Sequence, residues 1–90
     1  MFVKCFLTIF IQKQDGTQGL EQKRKMATEI LSKQGYATEE EKLAKSGRRV
    51  TIYTTIQCGE GETPQQAIDK VCQTISQAIR RKVVGRPLKA

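Results

Sequence analysis

Two extended segments of this chain bring together residue types that can bind a polyanion. From Met1 to Gln12 the sequence alternates. Val3, Cys5, Leu7, Ile9 and Ile11 point one way, and Phe2, Lys4, Phe6, Thr8, Phe10 and Gln12 the other. Arg49 to Cys58 repeats the pattern, with Val50, Ile52, Thr54, Ile56 and Cys58 on one side and Arg49, Thr51, Tyr53, Thr55 and Gln57 opposite. If helices cover the aliphatic faces, an aromatic, basic and hydroxyl-bearing surface is left open. Phe2, Lys4, Phe6, Phe10, Arg49 and Tyr53 are its candidate contact residues. Single-stranded nucleic acids are held this way, with bases stacked on rings and phosphates neutralised by Lys and Arg. Three phenylalanines in a row equally describe a dimer or partner interface, or packing beneath the chain's own loops.

Two basic runs form the second candidate site: Lys23, Arg24 and Lys25, and then Arg80, Arg81, Lys82, Arg86 and Lys89. They could follow a phosphate backbone. Their bland reading is a set of solvated charges, those after position 79 also complementing the negative end of a helix dipole.

Catalysis has little to stand on. The chain has no histidine, the commonest general base. Glu39, Glu40 and Glu41 are adjacent, so they cannot all face one site. Cys5, Cys58 and Cys72 fit no zinc spacing, and each falls on an apolar face where a thiol acts as a small hydrophobe. Gly59-Glu60-Gly61 lacks the third glycine and the lysine of a phosphate loop, and Glu60 and Glu62 would repel phosphate. The expectation is a non-enzymatic protein with no cofactor and no metal.

The elements that position these residues begin with the clearest signal, Thr63 to Gly85. Thr63 is an N-cap, Pro64 sits at the first helical position, and Gln66 completes a capping box. Ala67, Ile68, Val71, Cys72, Ile75, Ala78, Ile79 and Val83 form one stripe at helical spacing. Gly85 reads as the C′ residue and Pro87 as the stop. An earlier helix, Leu20 to Gln34, follows a turn at Gln14-Asp15-Gly16-Thr17. It ends in a Schellman motif with Gly35 at C′ and Tyr36 packing on Leu31. The stems of Lys23 or Arg24 bridge the gap between Leu20 and Ala27. Tyr36 to Gly47 reads either as a short helix capped at Thr38 or as a polar edge strand closed by a Ser46-Gly47 turn. Two strands alone seldom make a stable sheet, which favours the edge strand.

The predicted fold is therefore α+β: a two-layer sandwich, mainly antiparallel, in the order β-α-β-β-α, with two helices packed on one face. Residues 1–90 make a single compact domain with a short basic C-terminal tail at 86–90.

The charge is +7, from 16 Lys and Arg against 9 Asp and Glu, and it is unevenly spread. Such a balance favours anionic partners: RNA, single-stranded DNA or a nucleoprotein complex. It excludes mimicry of DNA by an acidic surface. Met1 to Ile11 is interrupted by Lys4, has no cleavage site and is too short to span a bilayer, so no membrane partner is expected. Three unpaired cysteines suggest reduced thiols and a cytoplasmic protein. In size and build the chain resembles phage-encoded stoichiometric inhibitors of nucleic-acid machines, anti-CRISPR proteins among them, a resemblance of form with no shared motif. It implies a small basic protein that docks on nucleic acid or a nucleoprotein, as an inhibitor or accessory factor. The alternative is a self-associating protein, a homodimer built on the Phe2, Phe6 and Phe10 face.

Overall fold

The computed structural model of the chain describes residues 1–43 and 47–88, with the side chain of Glu40 left out. Strand β1 (Phe2–Phe10) leads through a 3-10 turn at Lys13–Asp15 into helix α1 (Gly16–Lys33). Then come β2 (Thr38–Leu43), β3 (Arg49–Gln57), α2 (Pro64–Ile79) and β4 (Val83–Pro87). The strands form one sheet in the order β2-β3-β1-β4, with every pairing antiparallel. This is the split βαβ layout, in which a strand is inserted between the two ends of each crossover.

The alternation in β1 and β3 sets the register. Val3 lies opposite Ile56, Leu7 opposite Ile52 and Ile9 opposite Val50, so one face of the central pair is aliphatic. Both helices pack on that face. Leu20, Ala27 and Leu31 of α1 and Ala67, Ile68, Val71, Cys72, Ile75 and Ile79 of α2 share one buried cluster with Cys5, Leu7, Ile9, Val50, Ile52 and Ile56. The α+β sandwich is as expected, and the edge strand at 38–43 pairs with β3 through a bulge between Thr38 and Glu40. The Ser46-Gly47 turn lies partly outside the described residues.

The helix ends aim the strands that follow them. The Schellman ending of α1 forms as its sequence dictates: the Tyr36 N–H donates to Leu31 O at 2.8 Å and Gly35 N–H to Ser32 O at 3.0 Å. Gly35 has φ +85°, open to glycine without steric cost. Tyr36 packs against the core cluster. The start of α1 differs from expectation. The helix begins at Gly16 because the 3-10 turn delivers the chain directly into it, where a turn through Thr17 was predicted.

The larger correction concerns α2. Its start is as read, with Thr63 Oγ1 accepting from Gln66 N–H and Gln66 Oε1 accepting from Thr63 N–H. Its end is not at Gly85. The helix stops at Ile79, and Arg80 takes the left-handed conformation at φ 57° and ψ 42°. The Arg80 N–H closes on Ser76 O at 2.8 Å, and Ser76 Oγ donates to Arg81 O at 2.8 Å. The chain then reverses, and Val83 and Val84, β-branched and strand-favouring, open a fourth strand beside β1. The order gains a final β, Arg86 and Pro87 belong to β4, and Ala78 is exposed. Gly85 serves a different end: a β-carbon there would come within 2.5–2.8 Å of Ile68, Leu7 and Cys72. The glycine lets α2 lie directly on β4.

Candidate functional site

The helices occupy one face of the sheet, and the other face is open. Along β1 it carries Phe2, Lys4, Phe6, Thr8 and Phe10, and along β3 Arg49, Thr51, Tyr53, Thr55 and Gln57. Phe6 lies opposite Tyr53, Thr8 opposite Thr51 and Phe10 opposite Arg49. The Phe6 and Tyr53 rings meet with centroids 6.1 Å apart and planes tilted by 44°. Phe2 stands 73% exposed at the start of β1, while Phe6 and Phe10 are half-buried by their neighbours.

The outer strands bring cations to these rings. Lys42 of β2 lies opposite Thr51, and its Nζ sits 5.3 Å from the centre of the Tyr53 ring. Lys82 places its Nζ 5.5 Å from the Phe10 ring. Arg86 of β4 lies opposite Phe6. An ammonium over an aromatic face is attracted by the ring quadrupole, which holds the charge above the sheet. Among the described residues, Lys4, Arg49 and Arg86 have no ion-pair partner. Among the described side chains, the acidic group that reaches the face is Glu39, whose Oε1 accepts from Thr55 Oγ1 at 2.8 Å.

The two predicted basic runs do not form one surface. Lys23, Arg24 and Lys25 lie on α1, in the layer opposite the open sheet. Lys23 and Arg24 are half-buried there, as expected for stems spanning Leu20 to Ala27. Arg24 is engaged by Glu21 at 2.8 Å and by Glu41 of β2 at 2.7 Å. In the second run, Arg80 forms the helix end and Arg81 is held by Asp15. Lys82 and Arg86 reach the open face, while Lys89 lies outside the described residues. Sequence reasoning missed Lys42, whose position follows only from the β2–β3 register. It also missed Gln65, whose amide reaches the backbone of β4: Nε2 donates to Gly85 O at 3.0 Å.

Burial sets the chemistry of the thiols. Desolvation pushes Cys5 up to about 11 and Cys72 up to about 12, so both remain protonated and inert at neutral pH. Cys58 is also buried, with its Sγ 3.2 Å from Glu62 O. Among the described residues no group of three or more Cys, Asp or Glu is placed to hold a metal ion. No described helix is long and apolar enough to cross a membrane. No protein-family model, curated protein or solved structure matches the chain.

Proposed function

We propose that this chain is a non-enzymatic basic protein that binds single-stranded nucleic acid on the open face of its sheet. Bases stack on Phe6, Tyr53 and Phe10, phosphates are met by Lys4, Arg49 and Lys82, and Arg86 adds a further cation beside Phe6. The observation that carries this reading is the in-register Phe6–Tyr53 pair on an uncovered face, ringed by cations from β1, β3, β4 and the α2–β4 turn. Phe6 and Phe10 stand about 13 Å apart along β1, and Tyr53 lies across the strands beside Phe6. A single strand whose bases are splayed out finds a ring at each of these places. Four-stranded RNA-recognition sheets stack bases on aromatics of their surface in a similar way. That parallel is one of architecture, and fold alone assigns no function.

Charge separates this reading from self-association. A second copy docked face to face would set a face dominated by Lys4, Arg49, Lys82 and Arg86, with Glu39 as its acidic exception, against the same face. Like charges brought together across an interface oppose docking. A polyanion meets no such cost and gains from release of its counterions.

The test is fluorescence anisotropy with labelled single-stranded oligonucleotides at two salt concentrations. Affinity should fall steeply with salt, and Arg49→Gln should lower the salt slope by about 1. Phe6→Leu and Tyr53→Leu keep apolar volume but remove a stacking surface, and each should weaken binding about tenfold. Arg80→Gln, off this face, should leave affinity nearly unchanged. Salt-independent binding would count against the proposal, as would indifference to both ring substitutions. A protein that ignores oligonucleotides yet elutes as a dimer would make the face a self-association surface instead.

A further inference from the structure

Beside Phe6, where the open face meets β4, lies a concavity of about 560 Å³ lined by Phe6, Gln65, Arg86 and Pro87. Its size falls within the range of small-ligand sites. Phe6 and Pro87 supply apolar rings to its lining, Phe6 from the open face and Pro87, which lies opposite Cys5, from the helix side of β4. Gln65 and Arg86 supply polar groups that are complementary in what they offer.

Gln65 presents one group, and its neighbours fix which. Its Nε2 donates to Asp69 Oδ1 at 2.8 Å and to Gly85 O at 3.0 Å, so both amide hydrogens are used on acceptors. Turning the amide over would set its oxygen against those two oxygens. Oε1 accepts no hydrogen bond among the described residues and is therefore an oriented acceptor. Arg86 presents the opposite character, a planar fork of donors with no ion-pair partner among the described residues.

We infer that this concavity recognises guanine in a single strand laid across the sheet. The inference rests on the nucleic-acid reading of the open face and names the base that face would prefer. Guanine offers two adjacent acceptors, O6 and N7, that match a guanidinium fork, together with N1–H and N2–H donors for Gln65 Oε1. Adenine places its N6 donor where the fork needs an acceptor. Uracil lacks the paired acceptors, and cytosine pairs O2 with N3 but lacks guanine's N1–H and N2–H donors. Phe6 supplies the ring on which the base stacks.

The experiment compares labelled oligonucleotides of about eight nucleotides, a length suited to a single-strand site on one small domain. One is all uridine, a second carries a single central guanosine, and a third carries a single adenosine. Matched deoxy versions, on thymidine, separate RNA from DNA without altering the base argument. The guanosine oligonucleotide should bind the intact chain about tenfold more tightly than either of the others. Arg86→Lys keeps the charge and loses the fork, so the ratio of guanosine to uridine affinity should fall to about one, whatever change the two affinities share. Gln65→Met, with folding checked by circular dichroism, should do the same. Equal affinity for all three sequences in a protein whose binding still depends on Phe6 and Tyr53 would overturn the pocket and leave the face reading intact. So would an Arg86→Lys variant that keeps its guanosine preference. If no oligonucleotide binds, both readings fall together.

Discussion

Arg81 closes a two-pronged ion pair on Asp15, a residue 66 positions earlier in the chain. Its Nε donates to Asp15 Oδ2 at 2.8 Å and its Nη2 to Oδ1. The same carboxylate accepts from the Gln12 N–H at 2.9 Å. With side-chain exposures of 17% and 7%, the pair joins the turn before α1 to the turn after α2. Paired geometry and low exposure distinguish it from the loose surface bridges that contribute little.

That pair should make stability depend on acid in a defined window. The Arg81 hydrogen bonds hold the Asp15 carboxyl down to about 2, against an ordinary value near 3.9 in an unfolded chain. A carboxylate depressed on folding stabilises fully above its unfolded pKa and loses that contribution as pH falls through its folded pKa. The urea midpoint of the wild-type protein should therefore drop between about pH 4 and pH 2. Asp15→Asn should start lower at neutral pH and lose less across the same interval. Parallel pH curves for the two proteins would show that the pair makes no pH-linked contribution.

Arg80 turns a helix end that usually falls to glycine. A side chain at φ 57° crowds its own backbone, and Arg80 accepts this because the chain must reverse immediately into β4. Arg80→Gly should therefore raise stability by about 0.5–1 kcal/mol in urea unfolding. A loss of stability would mean that the arginine side chain contributes more than its conformation costs.

Gly85 is required by proximity. Its φ is not in the left-handed region, but Ile68, Leu7 and Cys72 occupy the space a methyl group would need. Gly85→Ala should destabilise by about 1–3 kcal/mol through overpacking, with α2 pushed away from β4. The expected signature is a lower denaturant midpoint with an unchanged circular dichroism spectrum. A neutral outcome would place α2 farther from the sheet.

The thiols should be unreactive until the protein opens. Cys5 and Cys72 are buried, with pKa values pushed up to about 11 and about 12 by desolvation. Labelling with a thiol reagent at pH 8 should proceed at the rate of opening and accelerate sharply in denaturant. Immediate native-state labelling of either residue would contradict the core described above.

The sequence is most readable where one signal dominates. In β1 and β3 the two-residue alternation names both the core face and the open face. In α2 the capping box and the stripe from Ala67 to Ile79 agree. The Tyr36 to Leu31 ending of α1 was legible because glycine and tyrosine stand at fixed offsets from the last turn. Legibility fails after Ile79. Gly85 and Pro87 look like stop signals, so the apolar stripe runs on through Val83 on paper. What ends the helix is tertiary: Arg81 is engaged by Asp15, and β1 supplies a free side for Val83 to Pro87 to pair with. Lys82 and Arg86 stand out in the sequence for their charge, but their place beside Phe10 and Phe6 depends on β4. Gln65 carried no signal at all, since its amide acquires its partner only when Gly85 returns beneath α2.

The bond from Gln65 to Gly85 also decides how this sheet meets other chains. Gly85 has its carbonyl on the side of β4 away from β1, where an added strand would have to pair, and the Gln65 amide already holds that oxygen. Pro87, two residues on, has no N–H to offer there. On the far border, β2 breaks its ladder with the Thr38/Glu40 bulge and exposes Glu39 and Glu41. Both borders therefore discourage lateral growth of the kind that turns a β-protein into a fibre. What they leave accessible is the broad surface between them, where a flexible chain can cross all four strands in a single pass.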